Sequence, residues 1–210
     1  MVDNFELIKP LLSFDKHGDF YFLQLLLRKK DGLDVPNGSD NQRRLVRDYH
    51  ITDAKQLDEW RDEIIRLCNE TGARAYIRLN KRNYKTIAMA YAQETLKKAM
   101  KGEQFGNTYN EINSVIGRYP EGHKGDKTWL VDIDDHAPDS PKVTAVKDII
   151  ARCEPIGVEK VVATIPTRSG THLIAKPFNL QRFNQLKQDE LADDGEVAVL
   201  PDNPTILYAP

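Results

Sequence analysis

Two stretches of this chain carry residues whose types and spacing allow joint chemistry. Thr128-Trp-Leu-Val-Asp-Ile-Asp-Asp135 reads as a strand, in which alternation sends Leu130, Asp132 and Asp134 to one face and Trp129, Val131 and Ile133 to the other. The two carboxylates stand roughly 7 Å apart along the backbone. At that spacing both can lean onto one or two hard divalent cations through oxygen ligands. The second stretch, Ile165-Pro-Thr-Arg-Ser-Gly-Thr-His-Leu-Ile-Ala-Lys176, places a Ser169-Gly170 turn before a strand with His172, Ile174 and Lys176 on one face. A histidine and a lysine there can meet a polyphosphate held by the acid-bound metal. Gly170 lets the backbone approach an anion, the Ser169 hydroxyl donates to its oxygens, and Arg168 and Lys176 add positive charge.

Each stretch alone has a plainer reading. Acids at a strand's exit often only solvate the following loop, and a Ser-Gly turn with a nearby histidine is commonly a hairpin with a structural hydrogen bond. The apolar neighbours of Asp132 argue for more, because a central strand leaves its acids hard to keep unpaired. Asp135 falls on the opposite face as a loop or capping residue, and His136 reads as a loop histidine.

The surrounding pattern supplies the elements that must position these residues. Phe5 to Phe14 forms a short helix or packed arm, and Asp19 to Arg28 a strand buried on both faces. A turn over 29–42 leads to a partner strand from Arg43 to Ile51. A helix capped by Thr52 or Asp53 runs to Gly72, and a strand covers Ala73 to Asn80. A further helix capped by Asn83 runs to Gly102. A helical turn near Glu111 to Ile116 and a glycine-rich loop precede the acidic strand. Ser140-Pro141 opens a helix, Val158 to Ile165 is a strand, and Asn179 to Lys187 a brief helix. Val197 to Leu200 and Thr205 to Tyr208 close the chain as short strands. The order from 128 onward suits a split strand-helix-strand sheet with helices on one side. The expected class is therefore α+β: a smaller α/β lobe over 1–125 and a second lobe over 126–210, packed as one unit.

Composition narrows the function classes. Charged residues make up 30% of the 210 positions yet nearly cancel, at −2, so net charge marks no polyanion binder while leaving room for a local basic groove. Cys68 and Cys153 lie on apolar sides of helical patterns and read as buried free thiols in a reducing, cytoplasmic setting. No Cys/His spacing suggests zinc, no run approaches a membrane span, and the opening residues lack a secretion-signal layout.

Asp132-Ile-Asp134 between apolar residues, followed by Ser169-Gly-Thr-His172 within a strand, resembles the first two signatures of the archaeo-eukaryotic primase superfamily. Ala75-Tyr-Ile-Arg-Leu-Asn80 is similar to a strand of that family's N-terminal module. The resemblance implies an RRM-like sheet preceded by a smaller α/β module, a two-ion Mg2+ or Mn2+ site, a nucleoside triphosphate substrate and a DNA or RNA template-primer. Asp132 and Asp134 would hold metal, and His172 and Ser169 would grip the triphosphate. The family's third acid corresponds to Asp202, with Glu196 as the alternative. Arg78, Lys81, Arg82 and Lys85 would lie along the template, although charges around a helix start are as often a solvated face. The chain is short for a complete primase and carries no zinc module. The implied function is a primase-polymerase-like nucleotidyltransferase of replication or repair. The alternatives are a non-catalytic nucleic-acid-binding module on the same fold and a metal-dependent phosphodiesterase or nuclease.

Overall fold

The computed structural model describes residues 1–28, 43–120, 127–134, 136–191 and 196–210. The turn expected over 29–42, Gly122, Gly125 and Asp135 lie outside them. The first half runs β1 (Val2–Asp3), α1 (Phe5–Ile8), β2 (Asp19–Arg28), β3 (Arg43–Ile51), α2 (Ala54–Glu59), α3 (Arg61–Thr71), β4 (Arg74–Ile77), β5 (Arg82–Asn83), α4 (Tyr84–Lys101) and α5 (Thr108–Arg118). The second half runs β6 (Trp129–Asp134), α6 (Pro141–Ala151), β7 (Val161–Pro166), β8 (Gly170–Ala175), α7 (Leu180–Leu191), β9 (Val197–Leu200) and β10 (Thr205–Ala209). Among the described residues this is an α+β protein with two antiparallel sheets and seven α-helices.

β2 is apolar on both faces because it is central. It pairs with β3 on one side and β4 on the other, in the order β1-β10-β4-β2-β3, and β5 joins its first residues. Leu23 and Leu25 face a core with Leu57, Ile64 and Cys68 of α2 and α3, while Phe20 and Phe22 face Ile87 and Ala90 of α4 and Val115 and Ile116 of α5. A division at 125/126 leaves β10 with the second lobe in sequence, yet β10 pairs inside the first sheet, between β1 and β4.

The second sheet has the order β7-β8-β6-β9, all antiparallel, from the succession β6-α6-β7-β8-α7-β9. Val131, Ile133 and Leu173 turn toward Val143, Val146, Ile149 and Ile150 of α6 and Phe183 and Leu186 of α7. Ser140 caps α6, its hydroxyl accepting from the Val143 amide at 3.2 Å. The other face turns toward the first sheet: Leu130, Ile165 and Ile174 belong to the same buried cluster as Ile206. Buried Asn4 ties the two sheets, its amide donating to the Pro166 carbonyl at 2.9 Å and the Ile206 carbonyl at 3.0 Å.

Three helices differ from the periodicity. The helix expected from Asp53 to Gly72 breaks at Trp60, whose ring packs on Tyr49 at 5.2 Å. Asn107 caps α5 through bonds from the Tyr109 and Asn110 amides, making a full helix of what reads as a single turn. Ion pairs Lys98–Glu111 at 2.7 Å and Arg118–Glu94 at 2.6 Å hold it against α4. α7 runs past Lys187 to Leu191. Both cysteines are free and buried, and burial pushes the Cys68 thiol up to about 12 and raises that of Cys153. No helix among the described residues is long and apolar enough to cross a membrane.

Phe20 stacks with His50 and with Tyr84, each at a centroid distance of 4.5 Å, and those two rings lie 5.7 Å from each other. Burial there lowers the His50 pKa from 6.5, against a smaller opposing pull from Asp48. The unfolded chain then binds the proton more readily than the fold. His50 therefore contributes stability that is whole above pH 6.5 and is lost as pH falls below it. Urea midpoints measured from pH 7.5 to 5 should fall, and His50→Gln should remove part of that fall; an identical pH profile in the variant would contradict it.

Candidate functional site

The antiparallel ladder between β6 and β8 decides which residues meet. Asp132 is directly opposite His172, and Asp134 is opposite Gly170. Cross-strand neighbours project to the same face, so the imidazole and both carboxylates stand on one side of the sheet. His172 Nε2 lies 3.3 Å from Asp132 Oδ1, and its Nδ1 is 2.9 Å from the Thr205 hydroxyl at the start of β10. The ring is hydrogen-bonded to Thr205, while Asp132 lies within ion-pair distance of it. Thr205 thus ties the ring to the first sheet.

These residues form one wall of a cleft at the junction of the sheets. Leu130, Asp132, Asp134, His172 and Leu200 line it from the second sheet, and Thr167 and Ser169 from the β7–β8 turn. Arg28, Arg74, Tyr76 and Ile206 line it from the first. The cleft measures about 160 Å³. One water fills roughly 10–15 Å³ on that measure, so it holds on the order of ten waters or a phosphate-bearing group. Arg28 donates to the Tyr76 hydroxyl at 3.0 Å, which fixes its guanidinium at the cleft, and Arg74 is buried. Guanidinium groups on one wall and carboxylates on the other suit an anion that arrives with a cation.

The sequence did not announce Arg28, Arg74 or Tyr76 as site residues. Arg28 ends a strand that otherwise reads as pure core, and Arg74 and Tyr76 alternate against buried Ala75 and Ile77. That alternation was the available signal, but nothing local shows which surface the polar face meets.

Several expected residues lie elsewhere. Ser169 reaches the cleft, whereas Arg168 is exposed in the turn and does not line it. Gly170 is not among the described glycines with positive φ, so its backbone demands no glycine. Lys176 shares the face of His172 but sits four residues along, roughly 13 Å away by strand rise, and lines a different cleft.

Asp202, expected as the third metal ligand, is turned away by the β9–β10 turn. Its carboxylate accepts from Arg82 Nη2 at 2.7 Å and Asn80 Nδ2 at 2.9 Å, with Arg78 3.7 Å away. Glu196, the alternative, accepts from Lys142 at 2.6 Å and lies 3.0 Å from His136 Nε2. Among the described residues no three His, Cys, Asp or Glu side chains form a metal-holding group. The donors present do fit a single Mg2+ or Mn2+. Such an ion keeps several waters and takes one or two carboxylates together with substrate phosphates.

The four residues expected along a template are placed differently from one another. Arg82 is fully buried, donating to the Ile116 carbonyl at 2.6 Å, the Asn80 carbonyl at 2.7 Å and Asp202. Arg78 donates to the Asp202 carbonyl, and Lys81 pairs with Asp15 at 2.6 Å. Lys85, at the start of α4, is the exposed member of the four. The sequence pattern gave four cations near a helix start; the fold uses two of them to hold the β9–β10 turn.

No protein-family model, curated protein or solved structure matches this chain.

Proposed function

We propose that the chain binds a nucleoside triphosphate with one Mg2+ or Mn2+ in the inter-sheet cleft and acts as a primase-polymerase-like nucleotidyltransferase on a DNA or RNA template-primer. The observation that carries this reading is the position of His172 opposite Asp132, with Asp134 and Ser169 beside them and Arg28 and Arg74 facing them. The cation would neutralise leaving phosphate and activate an attacking hydroxyl. The protein's own part is positional: Asp132 and Asp134 offer the oxygens, His172 orients Asp132, and the arginines and Ser169 take the phosphate charge. The β-α-β-β-α-β succession and strand order also support an RRM-like second lobe, as the resemblance to archaeo-eukaryotic primases implies. The free buried thiols suit a cytoplasmic setting.

A second reading, a nucleotide- or nucleic-acid-binding module without turnover, is favoured by one observation. Asp202 is committed to Arg82, which leaves two acids where the resemblance implies three. Purified protein incubated with labelled primed template, nucleotides and Mn2+ or Mg2+ decides between them. Extension is expected. Retention of the label without change supports the binding module, and shortening of the primer indicates a phosphodiesterase and overturns both.

A further inference from the structure

Two lysines that the sequence assigned to different tasks, Lys176 to the triphosphate and Lys81 to the template, meet a third, Lys127, in a separate cleft. It lies at the opposite end of the inter-sheet junction. β2 reaches it with its early residue Tyr21, whereas Arg28 at the end of β2 reaches the acidic cleft. Seven residues of strand separate those two positions, roughly 23 Å.

We propose that this second cleft holds a single-stranded nucleic-acid segment, with its phosphates on Lys81, Lys127 and Lys176. The three ammonium groups come from three segments: after β4, before β6 and after β8. Bringing like charges together is unfavourable unless a polyanion joins them. Lys81 is partly balanced by Asp15 at 2.6 Å and Asp19 at 3.6 Å. Among the described residues, Lys127 and Lys176 have no ion-pair partner. Asp15 is 69% exposed and Lys81 14%, so solvent weakens their pairing from the carboxylate side.

The lining is not only cationic. Leu11, Leu79 and Val162 line the cleft as well, and Val162 is 42% exposed although it lies in a strand. A lining that mixes lysines with apolar side chains fits a strand whose backbone is charged and whose sugars and bases are not. A polyglutamate chain would satisfy the lysines and leave the apolar lining unused. The choice of nucleic acid over other polyanions rests on the nucleotide reading of the acidic cleft; the binding of a polyanion does not.

Fluorescence anisotropy of the full chain with labelled single-stranded ten-residue oligonucleotides tests this. The probes are oligo-dT and oligo-U, titrated at several salt concentrations, with polyglutamate of equal charge as competitor. Lys127→Glu combined with Lys176→Glu should weaken oligonucleotide binding at least tenfold and flatten the salt dependence by about one unit of slope per lysine. Lys127→Gln with Lys176→Gln should act in the same direction by a smaller factor, with unchanged melting in both pairs. Binding of labelled nucleoside triphosphate with Mn2+ at the Asp132 cleft should be unaltered. Absence of oligonucleotide binding, or equal binding by parent and double variants, overturns the proposal. Competition by polyglutamate as strong as by unlabelled oligonucleotide overturns the ligand class. Lysine-dependent oligonucleotide binding alongside absent triphosphate binding would separate failure of the acidic-cleft reading from success of this one.

Discussion

Asp134→Asn will lower Mn2+-dependent nucleoside triphosphate binding roughly 100-fold or more and abolish incorporation, with melting indistinguishable from the parent. The asymmetry follows from where the side chain sits. Asp134 is exposed at the end of β6, opposite Gly170, so losing its charge disturbs no packing, and surface changes of that kind stay within about 0.5 kcal/mol. Its function in this account is charge and oxygen donation alone. Asp132→Asn should cost as much binding and also perturb His172, because the imidazole loses a carboxylate 3.3 Å away. Isothermal titration with nucleotide and Mn2+, paired with thermal melts, checks both. Full binding by Asp134→Asn would remove the acid pair from the mechanism.

Arg82→Met should be strongly destabilising and should act on the fold first. The guanidinium is fully buried and satisfies the carbonyls of Ile116 and Asn80 as well as the Asp202 carboxylate. Removing one partner of a buried charged network costs roughly 3–5 kcal/mol. In a protein of this size that lowers the melting temperature by on the order of 10 °C. Asp202→Asn keeps the shape and part of the hydrogen bonding, so it should destabilise by less and leave triphosphate binding within twofold of the parent. The reverse pattern, unchanged melting with lost Mn2+ binding in Asp202→Asn, would restore Asp202 as a metal ligand.

The contrast between Asp134 and Asp202 marks how far the sequence alone reaches. Strand alternation placed Leu130, Asp132 and Asp134 on one face and Val131 and Ile133 on the other, and the helices pack against the second set. The same period put His172 on a fixed face of β8, and one antiparallel register then set it against Asp132. Period two gives a face but no position along it, which is why Lys176 was grouped with His172 although the strand carries it roughly 13 Å away. Asp202 depended on the direction of a turn, and the turn is directed by Arg82, 120 residues earlier in the chain. Arg28 and Arg74 became site residues only because a second sheet packs beside the first. β10 reads locally as a short apolar strand, and nothing in that pattern says which sheet it enters. The caps Ser140, Asn83 and Asp53 were legible because a cap and the amides it satisfies lie within a few residues of each other.

Crystals grown with Mn2+ and a non-hydrolysable nucleoside triphosphate, measured for anomalous scattering at the manganese edge, test the central claim most directly. One manganese peak is expected within coordination distance of the Asp132 and Asp134 carboxylates, with the phosphates extending toward Arg28 and Arg74 and Asp202 still paired with Arg82. A nucleotide bound away from the His172 face of the second sheet, or a metal held by Asp202 after release from Arg82, would contradict it.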